Sequence, residues 1–278
     1  KRRTSARVAV VVVMAAGCGS TRAATSSAPT ATEVRVSLTQ VDGVHCARAP
    51  AVSHGALETL PASAAAALHQ FGKVEASGRG LPATSATTSG HLAVSVPADP
   101  TMSRADAAKL HAQLVEAARA ACNLLDTEAV QQAGYYLGSP NVEGVGTHWI
   151  NWSLMNKPFD PARPSMLLFS TQGAQSHLVG FSYWVRSATP PVGFAGGLDA
   201  WHRHFGVCFD ANGMWSGEDE TSSECHGTYV NGRDLWMLHA WVVPGTDNLD
   251  GIFAPINRSQ CHPNVPDIAK CPTQHAVG

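Results

Sequence analysis

Charged residues are scarce in this sequence. Asp, Glu, Lys and Arg make up 14% of the 278 residues, and the formal net charge is −2. A surface that binds nucleic-acid phosphates is basic, so this balance predicts no nucleic-acid partner. Long apolar runs are also lacking in the body of the chain, whereas a membrane-spanning helix needs about 20 such residues. We therefore expect no spanning helix there.

Several enzyme signatures are missing as well. The sequence has no P-loop, no dinucleotide-binding glycine pattern, no Gly-x-Ser-x-Gly elbow and no His-Glu-x-x-His segment. A Ser-His-Asp triad stays open, because its members come together only in the fold. No residue is marked as a nucleophile, so an enzymatic activity is left undecided.

The first residues have the three parts of a secretory signal. A basic segment, residues 1–7, precedes a short apolar run, residues 8–14, and small residues then lead to Cys18. This end resembles the bacterial lipobox, with Ala15 where leucine is usual. The resemblance implies cleavage before Cys18, a lipid on that cysteine, and an exported chain anchored to the outer face of the cell membrane. The alternative is an ordinary signal with an incidental cysteine.

Composition divides the chain into five regions. We assign residues 1–17 to the lipoprotein signal peptide and residues 18–32, rich in Ala, Thr, Ser and Pro, to a flexible tether. Residues 33–98 are expected to form a small β-containing module, and residues 101–262 a main domain of one helix and many strands. Residues 263–278, rich in Pro and polar residues, are predicted to be an extended tail.

Apolar periodicity predicts the elements of these regions. Alternating residues in 34–38 and 92–96 indicate two half-buried strands, with a short helix over 64–71 between them. Ser103 and Asp106 form a helix N-cap pair, and apolar spacing predicts a long helix over 103–125. A second helix over 127–133 should end at Gly134. Further strands are predicted at 166–169, 178–185, 207–209, 228–230 and 235–243.

These elements predict an α+β fold. We expect a mostly antiparallel β body with one long packed helix, preceded by the small β-containing module. Low charge, 25 Gly and 17 Pro agree with a body rich in strands and turns.

Six cysteines follow Cys18, and an even number in an exported chain indicates disulfides. They are Cys46, Cys122, Cys208, Cys225, Cys261 and Cys271. Six cysteines allow 15 connectivities. Cys208 with Cys225, and Cys261 with Cys271, would close short loops and leave Cys46 with Cys122. The rival interpretation is that Cys208 is free and binds a metal.

Four of the 13 histidines stand in distinctive surroundings. His202 and His204 are two residues apart, which places them on one face of a strand, about 7 Å apart. His239 lies in an otherwise apolar strand, where an ionisable group needs a partner. His148 begins the β region. Imidazole is a common ligand of copper and zinc, so the four predict a Cu or Zn site.

Ordinary structural roles for these residues compete with the metal-site interpretation. A single His-x-His pair arises by chance, and the flanking tryptophans Trp149, Trp201, Trp236 and Trp241 could form an aromatic core in which histidines bond to backbone. The acidic residues Glu218, Asp219, Glu220 and Glu224 are typical of a solvated loop. We assign that loop no leading role.

Two family resemblances bear on the prediction. Gly196 followed by His202 and His204 resembles the opening of the first cupin motif, but the glutamate that motif expects is missing, so a cupin is the runner-up fold. A broader set of segments follows in order along the chain, namely 133–135, 146–151, 160–164 with 167–168, 201–208, and 237–241 with 253–254. Together they resemble a group of exported actinobacterial proteins, and this resemblance brings no established activity.

The second resemblance implies that the same four histidines matter, namely His148, His202, His204 and His239. Our first hypothesis is a membrane-anchored, extracytoplasmic lipoprotein that binds Cu or Zn through them. A metal-dependent oxygenase or hydrolase at the cell envelope, with Tyr183 or the acidic loop assisting, is the second. The third is a non-metal binding or structural lipoprotein. Protein partners are not predicted.

Overall fold

The computed structural model describes residues 33–46, 60–76, 99–125, 127–155, 157–170, 176–218, 221–246 and 248–261. Cys18, the signal and tether, the strand predicted at 92–96 and the tail from residue 263 lie outside these residues. The described residues contain three α-helices, α1 (Ala62–Ala76), α2 (Arg104–Cys122) and α3 (Thr127–Gln132), and a short 3-10 helix at Arg258–Gln260.

Eleven strands complete the described part of the chain. They are β1 (Glu33–Arg35), β2 (Thr101–Ser103), β3 (Tyr136–Leu137), β4 (Thr147–Ile150), β5 (Met166–Ser170), β6 (His177–Arg186), β7 (His202–Arg203), β8 (Val207–Phe209), β9 (Trp215–Gly217), β10 (Thr228–Val230) and β11 (Leu235–Ala240). They form a six-stranded sheet in the order β3-β4-β5-β6-β11-β7, a three-stranded sheet β10-β8-β9 and the pair β1-β2. Every pairing among them is antiparallel, which confirms the predicted α+β class.

The long helix forms for the reasons its sequence suggests. The Ser103 hydroxyl accepts a hydrogen bond from the Asp106 backbone N–H at 3.0 Å, satisfying one of the free donors of the first turn. The buried positions Leu110, Leu114 and Ala117 follow helical spacing. The helix ends at Cys122, three residues before the predicted end, where the Asn123 N–H bonds back to the carbonyls of the last turn.

Strand predictions agree with the structure at 207–209 and 228–230 and closely at 166–169 and 178–185. The strand predicted at 235–243 is shorter, because β11 ends at Ala240. Beyond that residue the Trp241 N–H donates to the Ile252 carbonyl instead of to a neighbouring strand. The helix predicted over 64–71 is extended at both ends, as α1.

The six-stranded sheet separates two apolar cores. Leu167, Phe181 and Leu238 point to one face and pack with α2, in the core that contains Leu110 and Leu114. Alternate residues of the same strands, Met166, Trp184 and Met237, point to the other face. They pack with β8 and β10 and with Leu60, Leu68 and Phe71 in and before α1. The described parts of 33–98 therefore share these cores with the strands of the main body.

The sheet is curled toward its second face. His148 on β4 pairs with Leu168 on β5, and His239 on β11 pairs with Ser182 on β6, so three strand spacings separate the two histidines. Flat, this is about 14 Å. Their ring centroids are only 5.8 Å apart. Because side chains stand nearly perpendicular to a sheet, the short distance requires a concave face with both rings inside it.

Two disulfides agree with the predicted pairing. Cys46 is bonded to Cys122, and Cys208 to Cys225. Cys261 is also disulfide-bonded, and its predicted partner Cys271 lies outside the described residues. The interpretation of Cys208 as a free metal ligand is therefore wrong, since its sulfur is used in a covalent bond. Among the described residues, no helix combines the length and apolar character needed to cross a membrane.

Asp199, in the loop before β7, gives the fold a specific pH dependence. Burial raises the pKa of this carboxyl to about 7, although N–H donors from Phe194, Trp201 and Gly193 oppose the rise. Between about pH 4 and pH 7 the folded chain keeps a proton that the unfolded chain has lost, so raising the pH favours unfolding. Asp199→Asn, which removes this titration, should gain stability relative to wild type across that range.

From pH 4.5 to pH 8, we expect the free energy of unfolding of Asp199→Asn relative to wild type to rise by about 2 kcal/mol, with screening by water allowed for. Urea unfolding of both proteins at the two pH values measures it. Only the difference between the two proteins is used, so titrations common to both cancel. An equal stability difference at the two pH values would contradict the prediction.

Candidate metal centre

All four predicted histidines meet on the concave face of the six-stranded sheet. His148 lies in β4, His202 in β7 and His239 in β11, while His204 follows directly after β7. Their exposed fractions are 1%, 2%, 0% and 1% respectively. The sequence places these residues up to 91 positions apart, and the curled sheet brings them into one buried cluster, which we call the histidine cluster.

The rings form a continuous chain of contacts. Ring centroids are 5.2 Å apart for His202 and His204, 5.1 Å for His202 and His239, and 5.8 Å for His148 and His239. His239 is therefore the central member, with a neighbour on each side. Two tryptophans border the cluster: Trp241 next to His239, and Trp215 next to both His148 and His204.

Each ring is held by an oxygen at its Nδ1 atom. The Nδ1 atoms of His202 and His239 lie 3.1 Å and 2.6 Å from the backbone carbonyls of Ala200 and Pro255. A carbonyl only accepts hydrogen bonds, so these two Nδ1 atoms carry the proton. In a neutral imidazole the lone pair then lies on Nε2.

The remaining two rings have side-chain partners. His148 Nδ1 is 3.0 Å from the Ser139 hydroxyl, which also accepts from the His148 backbone N–H. His204 Nδ1 pairs with a carboxylate oxygen of Glu218. An ionised carboxylate has no proton to donate and only accepts hydrogen bonds, so a neutral His204 paired with it donates from Nδ1 and has its lone pair on Nε2.

Burial keeps the central rings neutral. Removal from water lowers the pKa of His202 to about 3, and the neighbouring His204 ring also lowers it. Burial lowers the pKa of His239 well below its usual value, with His202 contributing, while the hydrogen bond to Pro255 opposes the change. Neutral imidazole is the form that binds a transition metal.

The local structure of the His-x-His segment differs from the prediction. A single strand through both residues was expected, but β7 ends at Arg203 and Gly206 has φ +67. That left-handed residue turns the chain out of the six-stranded sheet and into β8 of the smaller sheet. His204 joins the cluster from this turn and not from a strand.

Two contacts were missed by sequence reasoning. Glu218, assigned to a solvated loop, reaches the buried His204, and Trp215 lies against the cluster from β9. No periodicity connects either residue to the histidines. Tyr183, suggested as an assisting residue, lies on the opposite face of the sheet, where its hydroxyl donates to the Pro161 carbonyl at 2.8 Å.

The rings pack directly against one another. His202 meets His204 and His239 at interplanar angles of 71° and 79°. These are edge-to-face contacts of the kind that aromatic rings adopt in cores. Within the described residues, no group of three or more His, Cys, Asp or Glu side chains has the arrangement needed to hold a metal ion.

Comparison of the chain with models of protein families, with curated proteins and with solved structures found no match. What the geometry defines is an α+β, disulfide-bonded protein with a buried histidine cluster inside a curled antiparallel sheet.

Proposed function

We propose that this protein is an exported, lipid-anchored protein that binds a copper or zinc ion through His148, His202, His204 and His239. The observation that carries the proposal is the common orientation of the four buried rings. Each has an oxygen at Nδ1. Histidines that bind metals almost always donate their other ring N–H to an oxygen in this way.

The ring spacing also supports one shared ion. Two imidazoles bound to a tetrahedral zinc through Nε2, at about 2 Å, have ring centroids about 5 Å apart. The two contacts of His202 have nearly this value. Binding would require the rings to turn from edge-to-face packing until the Nε2 atoms converge.

The surroundings of Ser182 favour a bound polar molecule or ion next to His239. Its side chain is fully buried directly opposite His239 in the sheet register, and its hydroxyl has no hydrogen-bond partner among the described residues. A buried hydroxyl without a hydrogen bond destabilises the fold by about 1–3 kcal/mol. A water or anion accompanying the ion would satisfy it.

Burial favours binding over catalysis. The four rings are at most 2% exposed, so an ion held by all of them would have no position open to solvent. Closed four-ligand sites serve storage, delivery or structure, whereas catalytic sites keep one position for water or substrate. We therefore favour a metal carrier or a structural ion over an oxygenase or hydrolase.

One observation favours a second candidate, a binding or structural protein without metal. The described side chains hold no ready metal group, and the rings already pack as an aromatic core. In that case the Nδ1 bonds serve only to satisfy buried polar atoms. Metal content separates the two candidates.

Two disulfides in the described residues support the exported location, because such bonds persist in oxidising compartments. The lipid anchor depends on the sequence around Cys18. A single preparation tests both parts of the proposal: the full chain and its Cys18→Ala variant, expressed with export. Wild type should partition into membranes or detergent, and the variant into the aqueous fraction.

The aqueous Cys18→Ala protein is then loaded with zinc or with copper, freed of excess ion, and analysed by elemental mass spectrometry. About one ion per chain is the expected result for one of the two metals. A chain without stoichiometric metal after both loadings would leave the non-metal candidate. Equal partitioning of the two proteins would contradict the proposed lipid anchor and would leave the metal result unaffected.

A further inference from the structure

Strand β9 borders the histidine cluster and is itself partly exposed to solvent. Trp215 of β9 is half-buried, and its ring centroid is 5.5 Å from that of His204 and 6.2 Å from that of His148. Three residues later, Glu218 pairs with His204 Nδ1 while 21% of its own side chain stays exposed. We call residues 215–218 the cover strand.

The cover strand is weakly secured. Its strand part, β9, is three residues long at the edge of the smaller sheet, and the register of β9 with β8 is irregular between Cys208 and Phe209. The Trp215 N–H also donates to the Gly138 carbonyl, and the Ser216 hydroxyl to the Cys208 carbonyl. Short, half-exposed edge segments open at low free-energy cost.

The other elements around the cluster are held more firmly. β11 lies between β6 and β7 and is hydrogen-bonded on both sides. β7 is also short and at an edge, but Arg203 fixes it. Its guanidinium stacks on the Trp236 ring at 4.5 Å and donates to the Arg233 carbonyl at 2.8 Å. Movement of the cover strand is therefore the least costly way to uncover the rings.

A disulfide limits that movement. Cys208, in β8, is 2% exposed and bonded to Cys225, so the chain from 208 to 225 is a closed covalent ring that contains the cover strand. With the bond intact, the strand can swing only as far as this ring allows. Without it, the segment is free to leave β8.

We propose that the cover strand is the gate through which a cation reaches and leaves the histidine cluster, and that the Cys208–Cys225 disulfide keeps this gate slow. The inference rests on the metal-binding function proposed above. The Glu218 carboxylate meets solvent on one side and His204 on the other, so it is the first group that an arriving cation meets.

Zinc release tests the gate. The zinc-loaded protein is mixed with a chromophoric chelator, and the dissociation rate is measured for four proteins: wild type, Trp215→Ala, Cys208→Ala/Cys225→Ala and Trp149→Ala. The last removes a half-buried tryptophan on the opposite face of the sheet and is the matched control. We expect release about tenfold faster or more in the first two variants and near the wild-type rate in the control.

A second measurement does not depend on metal. Metal-free proteins are treated with diethyl pyrocarbonate well below their unfolding temperatures, and modified histidines are mapped by mass spectrometry. Exposed His111 and His177 are internal references. The cluster should react slowly in wild type and Trp149→Ala, and at least tenfold faster in Trp215→Ala and Cys208→Ala/Cys225→Ala.

The two measurements separate the proposals. Faster labelling of the cluster in a chain that binds no zinc would show that the cover strand opens, but it would overturn both the metal function and the role of that strand as a cation gate. Zinc binding with unchanged release and labelling in both cover-strand variants would overturn the gate and leave the function standing. Equal acceleration in Trp149→Ala would also overturn it, because general loosening would then account for the effect.

Discussion

His239→Gln is expected to weaken zinc binding more than any other single change in the cluster, by over 100-fold. His239 is the central ring, with His202 at 5.1 Å and His148 at 5.8 Å, and it is fully buried. Loss of an outer partner of a metal ligand costs about 10–100-fold in affinity, and loss of the ligand itself should exceed that. Glutamine can still donate to the Pro255 carbonyl, so the backbone partner stays satisfied.

Competition with a zinc indicator measures the affinities. Glu218→Gln, which removes the charge beside His204 but keeps a hydrogen-bonding side chain, should fall within the 10–100-fold range. His111→Ala and His177→Ala are the controls, because both residues are exposed and outside the cluster. Zinc affinity in His239→Gln that matches these controls would contradict the site.

Acidification should lower the stability of the metal-free protein through the buried histidines. His202 and His239 are neutral in the fold, because burial lowers their pKa values, to about 3 in the case of His202. In the unfolded chain they take up protons as the pH falls below about 6.5. The unfolded state then binds more protons, so the metal-free protein loses stability on acidification. Metal stored there would be released together with unfolding, and not by simple protonation of exposed ligands.

Sequence reasoning predicted the helix and strand features that depend on short local patterns. Ser103 and Asp106 marked the start of α2, and short apolar runs marked β5, β6, β8 and β10, because capping and side-chain alternation act over a few residues. His239 was singled out since an imidazole in an apolar strand needs a partner. That reasoning found each residue separately and could not measure the distances between them.

The assembly of the site depends on features without a local signal. Curling of the six-stranded sheet brings His148 to His239, and the left-handed Gly206 sends the chain into a second sheet. The second sheet then returns Trp215 and Glu218 to the cluster. A glutamate in an acidic run looks solvated in sequence, and only the tertiary fold gives it a buried partner.

The Cys46–Cys122 disulfide is expected to contribute about 4 kcal/mol to the free energy of unfolding, more than the Cys208–Cys225 bond at about 3 kcal/mol, because it closes the longer loop. The two sequence separations are 76 and 17 residues. The longer loop ties the segment 33–46 to the end of α2. That segment also supplies the Leu38 carbonyl to the Ile252 N–H, so it bridges both ends of the main body.

Urea unfolding measures both values. Each double variant, Cys46→Ala/Cys122→Ala or Cys208→Ala/Cys225→Ala, is compared with the Cys18→Ala protein. Domains of this size are stable by only about 5–15 kcal/mol, so either loss is a large fraction of the total. A reductant should therefore unfold the protein at temperatures where the oxidised form is stable. Disulfides persist in oxidising compartments, so a fold that depends on these bonds would support the proposed export. Reduced protein with unchanged stability would remove this support for export, although the histidine cluster would keep its own test.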